Sequence, residues 1–496
     1  MNIVDNIVSF FSPRAGAERL KYRTAEQLLT RRYEAAGGGR RGANWTTRNT
    51  GPNAVNETNL SRLRARSRDM ERNNLWARSA IGRLANNVVG TGIVPNPKNS
   101  KVMKLWRSWA ETKECDFYGQ MNIYGIQKQA MKAIARDGEV IIRLRRVKGK
   151  TLPIKLQVQE VDVLDSLKNY KMNEGGEIIQ GVEFDADKRR VAYWLYDNHP
   201  EENGNYTASR RIPVEDVIHV YDVERPGQVR GVPFLATALL RLKDYDEYED
   251  AELVRQKIAA CFAAFVQDTN PDAAETNEDG LDIERLEPGI IEMLPAGKSV
   301  TFASPPTTQN YDSYGKSVLR GAAGGIGLSY EALSGDYSNV NFSSGRMGWI
   351  EMQRNVESWQ YNMLVPMLCD SVWEWFISVG VLAGKIPLSA ATPTLWTPPR
   401  REMIDPSKEI AAQINAVRGG IMSLSEVHRQ NGYDSAVVLD EMAADNKRID
   451  TLGLILDSDA RKTMKAGVTQ AFLKTPTSAA EFTDPPVEDN TQPPAQ

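Results

Sequence analysis

The side chains that could carry covalent or metal chemistry are few. The chain has three histidines, His199, His219 and His428, and none pairs with another at metal-ligand spacing. His219 sits inside an apolar run, DVIHVYDVE, which marks it as a structural imidazole. Glu160, Asp162 and Asp165 could suggest the carboxylates of a metal-dependent nuclease. Alternating carboxylates on a strand edge are usually solvated, however, and no convincing lysine partner follows them. Gly149-Lys150-Thr151 and Gly297-Lys298-Ser299 resemble the end of a phosphate loop, which also needs a glycine five residues before its second one. Leu144 and Glu292 stand there instead. Gly90-Thr91-Gly92 continues to Pro95 where a dinucleotide fingerprint needs glycine, and its role is a helix stop. No G-x-S-x-G elbow occurs. The residues point away from an enzyme and imply no cofactor and no metal.

Cys115, Cys261 and Cys369 are isolated and odd in number, which fits a reducing compartment better than a disulfide framework. The start, MNIVDNIVSFFSP, lacks the basic flank of a signal peptide. The strongly apolar stretch Ile258–Val266 is far short of the roughly 20 residues a membrane span needs. The expectation is a soluble intracellular protein with no membrane partner. Its charge is uneven. Residues 1–110 hold 20 Lys+Arg against 7 Asp+Glu, and the remainder 41 against 57. A basic N-terminal fifth joined to an acidic remainder suggests surfaces with different partners.

The elements that would position these groups follow from periodicity. Residues 1–58 read as a flexible arm, 59–89 as one arginine-rich helix, and Lys101–Thr112 and Tyr124–Asp137 as two more helices. Residues 138–224 change to short β-rich runs, a mixed and largely antiparallel region. The longest helical pattern then runs from about Pro233 to Val266, roughly 50 Å at 1.5 Å per residue. Its middle carries Asp244, Asp246, Glu247, Glu249, Asp250 and Glu252. An acidic, turn-rich stretch with Asp272, Glu275, Glu278 and Asp279 follows. GIIEML and SVTFA then look like a two-strand ribbon. A glycine-loosened helix covers about 311–326, followed by the polar loop SGDYSNVNFSS, which contains no Lys or Arg. A second long helix spans about 346–380, with Pro366 expected to kink it. Asp405-Pro406 starts a last helical domain to about 471, and Ser423 with Glu426 fits a capping box. The proline-rich end, 473–496, reads as a disordered tail. An acidic belt of this kind would be solvated surface on a globular domain. On a ring subunit it could line a channel that repels phosphates. The residues alone leave both open.

Four ordered stretches carry a resemblance: RARSRDMERNN (64–74) continuing to NNVVGTGI (86–93); HVYD (219–222) with RPGQVRGVP (225–233); LEPG (286–289) with GKSVTF (297–302); and LSYEALSGDYSN (328–339) followed by FSS (342–344). Over roughly residues 15–460 the chain resembles the lambda-type family of tailed-phage portal proteins. The resemblance implies an α+β portal fold of wing, two-helix stem, clip and α-helical crown, assembled as a ring that is usually of twelve subunits. It would place a wing at 59–232, a first stem helix at 233–266, a clip at 267–309 and a second stem helix at 310–332. A tunnel loop would follow at 333–345, then a long kinked helix returning to the wing at 346–400 and a crown at 401–472.

The same resemblance implies a head–tail connector at one capsid vertex. Double-stranded DNA would pass through it during packaging and ejection. Asp336, Tyr337, Ser338, Asn339, Val340, Asn341 and Phe342 would face the channel, and the acidic belt would lie in the channel or between subunits. Asp272, Glu275, Glu278 and Asp279 would belong to the docking surface for the terminase large subunit, which is later replaced by head-completion or tail proteins. Major capsid or scaffold proteins would surround the ring. The protein would reside in the virion, and in host cytoplasm during assembly. The competing reading is a monomeric or dimeric DNA-binding packaging adaptor that uses the basic N-terminal region.

Overall fold

The computed structural model describes residues 49–173, 175–201, 208–260, 264–268, 298–302, 311–399 and 405–454, with isolated positions near either end. Two units separate: residues 1–90 with 104–391, and residues 91–103 with 392–496.

The first unit begins with helix α1 (Pro52–Asn73), earlier than the periodicity suggested. Proline is favoured in the first turn because its missing N–H would have no helical partner there. The expected single helix to residue 89 is two helices. The backbone is extended at Asn74, whose side chain accepts from Ala77 N at 2.9 Å and so starts α2 (Leu75–Val88). An asparagine inside a helix and one at its N-cap look alike in sequence, because only the cap geometry separates them. Strand β1 (Val94–Asn96) and α3 (Ser100–Ala110) lead to α4 (Ile123–Asp137). Gly138 ends α4 at φ 90°, and a Cβ there would lie 2.5 Å from the Val232 backbone. No other residue fits that turn.

The strand ladders of the β region are antiparallel, and one isolated parallel bridge joins Leu156 to Asp116. One sheet orders β3 (Ile154–Gln159), β2 (Glu139–Arg146) and β9 (Val217–Tyr221) with β2 central. A second runs in sequence order through β4 (Tyr170–Lys171), β5 (Glu177–Ile179), β6 (Val182–Phe184), β7 (Arg190–Leu195) and β8 (Arg210–Pro213). Ile141, Val163, Leu164, Val182, Tyr193 and Leu195 form a common core. Helix α4 packs against α2 and β2.

Helix α5 (Leu239–Ala260) has 22 residues, about 33 Å at 1.5 Å per residue, not the 50 Å expected. Ala264, Phe265 and Val266, read from sequence as the end of that helix, instead begin β10 (Ala264–Asp268). A short apolar run satisfies either period, and its pairing decides. Here β11 (Lys298–Phe302) pairs with it antiparallel, Val266 opposite Val300. SVTFA therefore has a partner other than GIIEML, which lies outside the described residues.

Helix α6 (Tyr311–Ile326), the short α7 (Tyr330–Ser334) and α8 (Phe342–Trp359) follow. Helix α8 continues through a wider π-helical segment, Gln360–Cys369, into α9 (Asp370–Leu382). Pro366 lies inside that segment. It has no N–H to return to the preceding turn, and the wider winding absorbs the defect. The helix Ser343–Leu382 contains an 18-residue stretch whose mean hydropathy, 1.3, and whose length are those of a membrane span, a feature the shorter run at Ile258–Val266 did not suggest. Its Met363, Leu364, Leu368, Val372 and Phe376 are buried within this unit. Trp106, Trp109, Trp373 and Phe376 pack together with ring centroids 5.1–5.9 Å apart, geometry worth roughly 0.5–1.5 kcal/mol per pair beyond area burial.

In the second unit β12 (Leu395–Thr397) pairs antiparallel with β1. Three helices follow, α10 (Pro406–Arg418), α11 (Leu424–Gln430) and α12 (Ser435–Leu452). Asp405 caps α10 by accepting from Lys408 N at 3.3 Å. Ser423 accepts from Glu426 N at 3.1 Å, while the Glu426 carboxylate turns to Arg429, so the cap is one-sided. Within these three helices Ser435 is the one buried residue, and Ile410, Ile414, Leu439 and Met442 are exposed.

Candidate functional site

The polar loop between α7 and α8 is a built turn. Gly327 ends α6 at φ 86°, where a Cβ would approach Trp359 to 2.8 Å, and its carbonyl accepts from Asn355 Nδ2 at 3.1 Å. Ser329 caps α7, and Gly335 closes it at φ 73°. Asp336 then holds the loop. It accepts from Ser338 N at 3.0 Å, from Ser338 Oγ at 2.5 Å and from Tyr330 Oη at 3.1 Å, with Lys316 of α6 at 3.8 Å. The Ser338 hydroxyl and amide, then Tyr330, bring its acid pKa down to about 2. Val340 N reaches Tyr337 O at 3.2 Å, and Asn341 forms a reciprocal capping box with Ser344 that starts α8. Phe342 therefore opens the helix and is not part of the loop. Ser79 Oγ donates to the Leu333 carbonyl at 3.3 Å, tying the loop's base to α2. Tyr337 is left 62% exposed on this fixed support, with Ser338 and Asn339 exposed beside it and Val340 half-buried.

Helices α5 and α6 pack closely at Gly315, where a Cβ would lie 2.6 Å from Tyr245 Oη. Gly321 of α6 comes as close to α5, with its Cβ position 2.6 Å from a guanidinium nitrogen of Arg241. Gly324 faces open space, and Gly327 is needed for its φ. Tyr248 packs on Tyr311 and Tyr314 at 5.9 and 4.8 Å. Burial, then the Glu249 carboxylate, raises the Tyr245 hydroxyl well above its ordinary range. The acidic belt splits. Glu249 accepts from Trp76 Nε1 and Tyr311 Oη, both at 3.4 Å, and buried Glu252 holds Arg255 and Gln256. Asp244, Glu247 and Asp250 face outward, and Asp246 is half-buried. The six carboxylates do not form one surface, because α2 and α6 cover part of the helix. Asp272, Glu275, Glu278 and Asp279 lie outside the described residues.

A buried charge cluster went unseen in the sequence. Glu139, fully buried, accepts from Arg230 Nε at 2.9 Å, from Gly231 N at 2.9 Å and faces His219 Nε2 at 2.7 Å, with Arg64 at 3.6 Å. Burial works against ionisation, but Arg230 and His219 hold the Glu139 carboxyl far below the usual range. Burial, partly countered by Glu139, lowers His219. Arg68 bridges Asp137 at 2.7 Å and Asp162, and Arg136 reaches Asp137, Glu71 and Glu160. Arginines that looked like a nucleic-acid face are in part interior counter-ions. Glu160, Asp162 and His199 do converge, with His199 Nε2 3.8 Å from each carboxylate, although no sequence spacing announced it. Guanidinium groups already neutralise both carboxylates there, which removes the negative field a divalent ion would need. Asp165 is held apart by Ser209 at 2.6 Å.

Residues 38–360 match the family described as phage portal protein, lambda family. The chain belongs to that family. Among curated portal-family relatives, it is 29% identical over 463 residues to the probable portal protein of Halomonas phage phiHAP-1, covering 86% of this chain and 89% of that one. It is 22% identical over 503 residues to the portal protein of Escherichia phage N15, covering 88% and 94%. Similar solved structures include the neck of a native gene transfer agent particle computed with C12 symmetry, at 13% identity and TM-score 0.45, covering 76% of this chain and 93% of that one. An HK97-family phage portal protein from Corynebacterium diphtheriae aligns at 11% identity and TM-score 0.34, covering 70% and 97%. The portal-family match takes in α1 to α8 and the loop, so the loop and the two helices that flank it lie in the family's shared portion. As a portal protein, the chain is a structural component of the virion's head–tail connector.

Proposed function

We propose that this portal protein acts as a ring subunit, of about twelve by family analogy, whose 336–341 loop contacts double-stranded DNA in the central channel. The observation that carries the reading is the loop itself: anchored at Asp336, Asn341 and the Leu333 carbonyl, without Lys or Arg, and presenting Tyr337. Such a surface touches DNA without the phosphate pairing that would arrest it. The exposed isoleucines and leucines of α10 and α12 support assembly with neighbouring copies, since a three-helix segment without an apolar core has little to stabilise it alone. Residues 267–309 are the docking surface for the terminase large subunit, which supplies ATP hydrolysis, and afterwards for head-completion or tail proteins. Capsid or scaffold proteins hold the ring at one vertex, and assembly takes place in host cytoplasm. The adaptor reading rested on the basic N-terminal region, and Arg64 and Arg68 of that region are engaged with interior carboxylates.

Electron microscopy of the purified protein tests the reading. Rings of about twelve subunits with an open channel are the expected result. Monomers or dimers at every protein and salt concentration, together with steeply salt-dependent duplex binding, would overturn it in favour of the adaptor.

A further inference from the structure

Helix α1 carries its arginines on two faces. Arg64 and Arg68 point inward and are held by Glu139, Asp137 and Asp162. Arg62 and Arg66, one turn apart, are exposed and make no ion pair among the described residues. They line a groove of about 410 Å³ between α1 and the 224–232 segment, which adds Arg225. Val55, Leu63 and Val232 supply its apolar lining, and Glu224 is its one carboxylate. From Pro52 to Arg66 the groove follows α1 for about four turns, roughly 21 Å at 1.5 Å per residue.

The wall facing α1 is preformed. Buried Gln228 accepts from the backbone N–H groups of Glu224 and Arg225, each at 3.0 Å, and donates to the Arg230 carbonyl at 2.8 Å. Asn53 accepts from Val229 N at 2.9 Å and donates to the Gly227 carbonyl at 3.0 Å, locking the segment to the start of α1. A groove held in this way needs little ordering on binding. Its guanidinium groups call for carboxylates, which match them bidentately, and its lining calls for apolar side chains on the same surface. A DNA backbone would satisfy the arginines but offers nothing to Val55, Leu63 and Val232.

The same unit carries a surface of that description. Helix α5 turns Leu242, Tyr245 and Glu252 inward and leaves Leu240, Asp244, Glu247, Ala251 and Val254 exposed. Steps of three and four residues align these five into one ridge. Carboxylates occupy its middle and apolar side chains its two ends, over roughly 21 Å at 1.5 Å per residue. Asp244 makes no ion pair among the described residues. Glu247 meets Lys243 at 3.1 Å, both exposed, a kind of surface pair that is readily exchanged for another. Groove and ridge are different patches of one chain, which is what a head-to-tail contact between successive copies requires.

We propose that the α5 ridge of one copy seats in the α1 groove of the next. Asp244 and Glu247 meet Arg62 and Arg66, Leu240 and Val254 cover the apolar lining, and Lys243 is released to Glu224. This rests on the ring reading above and adds the side chains that join its subunits.

Cross-linking of the full-length protein tests it. R66C/E247C, assembled and treated with a short bismaleimide, should give a ladder of dimers, trimers and larger species on a denaturing gel, which neither single variant nor the wild type should give. A ladder needs a bond to a new copy at every step, whereas two-fold pairing stops at dimers. R62E/R66E and D244K/E247K should each raise the concentration for half-assembly about tenfold or more, at an unchanged melting temperature. Combining the two reversals should restore assembly, which separates direct contact from a general charge effect. Rings by electron microscopy without a ladder overturn this contact and leave the ring reading standing, whereas a wild type that forms no rings overturns both. Cross-links that stop at dimers or stay within one chain overturn the contact, and so does a combined variant that assembles no better than either reversal alone. Loss of duplex binding in R62E/R66E with assembly unchanged would also overturn it, by assigning the groove to DNA.

Discussion

Glu139→Gln isolates the charge at the centre of the first unit while keeping the side chain's shape. In the wild type one carboxylate faces Arg230, His219, the Gly231 N–H and, at 3.6 Å, Arg64, and Arg230 and His219 have side chains with no exposure at all. Removing the negative charge leaves two buried guanidinium groups without their shared counter-ion. Arg64 keeps Asp162 at 3.4 Å, but Arg230 retains only Ser166 and the Gln180 carbonyl. Breaking a buried pair in this way costs about 3–5 kcal/mol, which lowers the midpoint of a unit this size by roughly 5 °C. Thermal unfolding followed by circular dichroism measures it. Arg146→Met, which breaks a pair whose arginine is 65% exposed, is the control and should cost about 1 kcal/mol or less. A loss in Glu139→Gln no larger than in that control would refute the account of Glu139 as the shared counter-ion.

His219 has a folded pKa lowered by burial, so the fold favours its neutral form. The stability this brings is present above the unfolded pKa of about 6.5 and is lost as pH falls toward the folded value. The melting temperature should therefore drop on acidification from pH 7 toward 5, and His219→Asn should flatten that slope. Gly327→Ala should destabilise α6 and α8 by roughly 1–3 kcal/mol, because it combines φ 86° with a 2.8 Å approach to Trp359; urea unfolding reads it. Asp336→Asn should speed amide exchange across 334–341 without dissolving α6, since it weakens the bonds from Ser338 and Tyr330 and the contact with Lys316. Tyr337→Ala with Phe342→Ala should leave rings intact by electron microscopy and reduce DNA packaged or retained in particles. Full genome retention in assembled particles would contradict a channel role for these residues.

Much of this protein is legible locally. Helix positions and the change to strands at Glu139 follow from the period of apolar residues, which is a property of neighbouring positions. The loop at 336–341 stood out because polar residues without Lys or Arg interrupt two helical patterns, and its caps at Ser329 and Asn341 use side chains that reach only a few residues. What only the tertiary structure decided is everything that depends on partners far along the chain. Arg64 and Arg62 are the same residue type two positions apart, yet one is buried against a carboxylate from β2 and the other lines an open groove. Ala264–Asp268 became a strand because Lys298–Phe302 pairs with it. Glu249 and Glu252 left the acidic belt because Trp76 and Tyr311 pack over one face of α5 and Arg255 folds back along it. The sequence by itself determined most of the helices, strands and turns, where neighbouring positions carry the signal. The tertiary structure decided which charges are interior, because the cost of an unpaired charge is set by burial, and burial is a property of the whole fold.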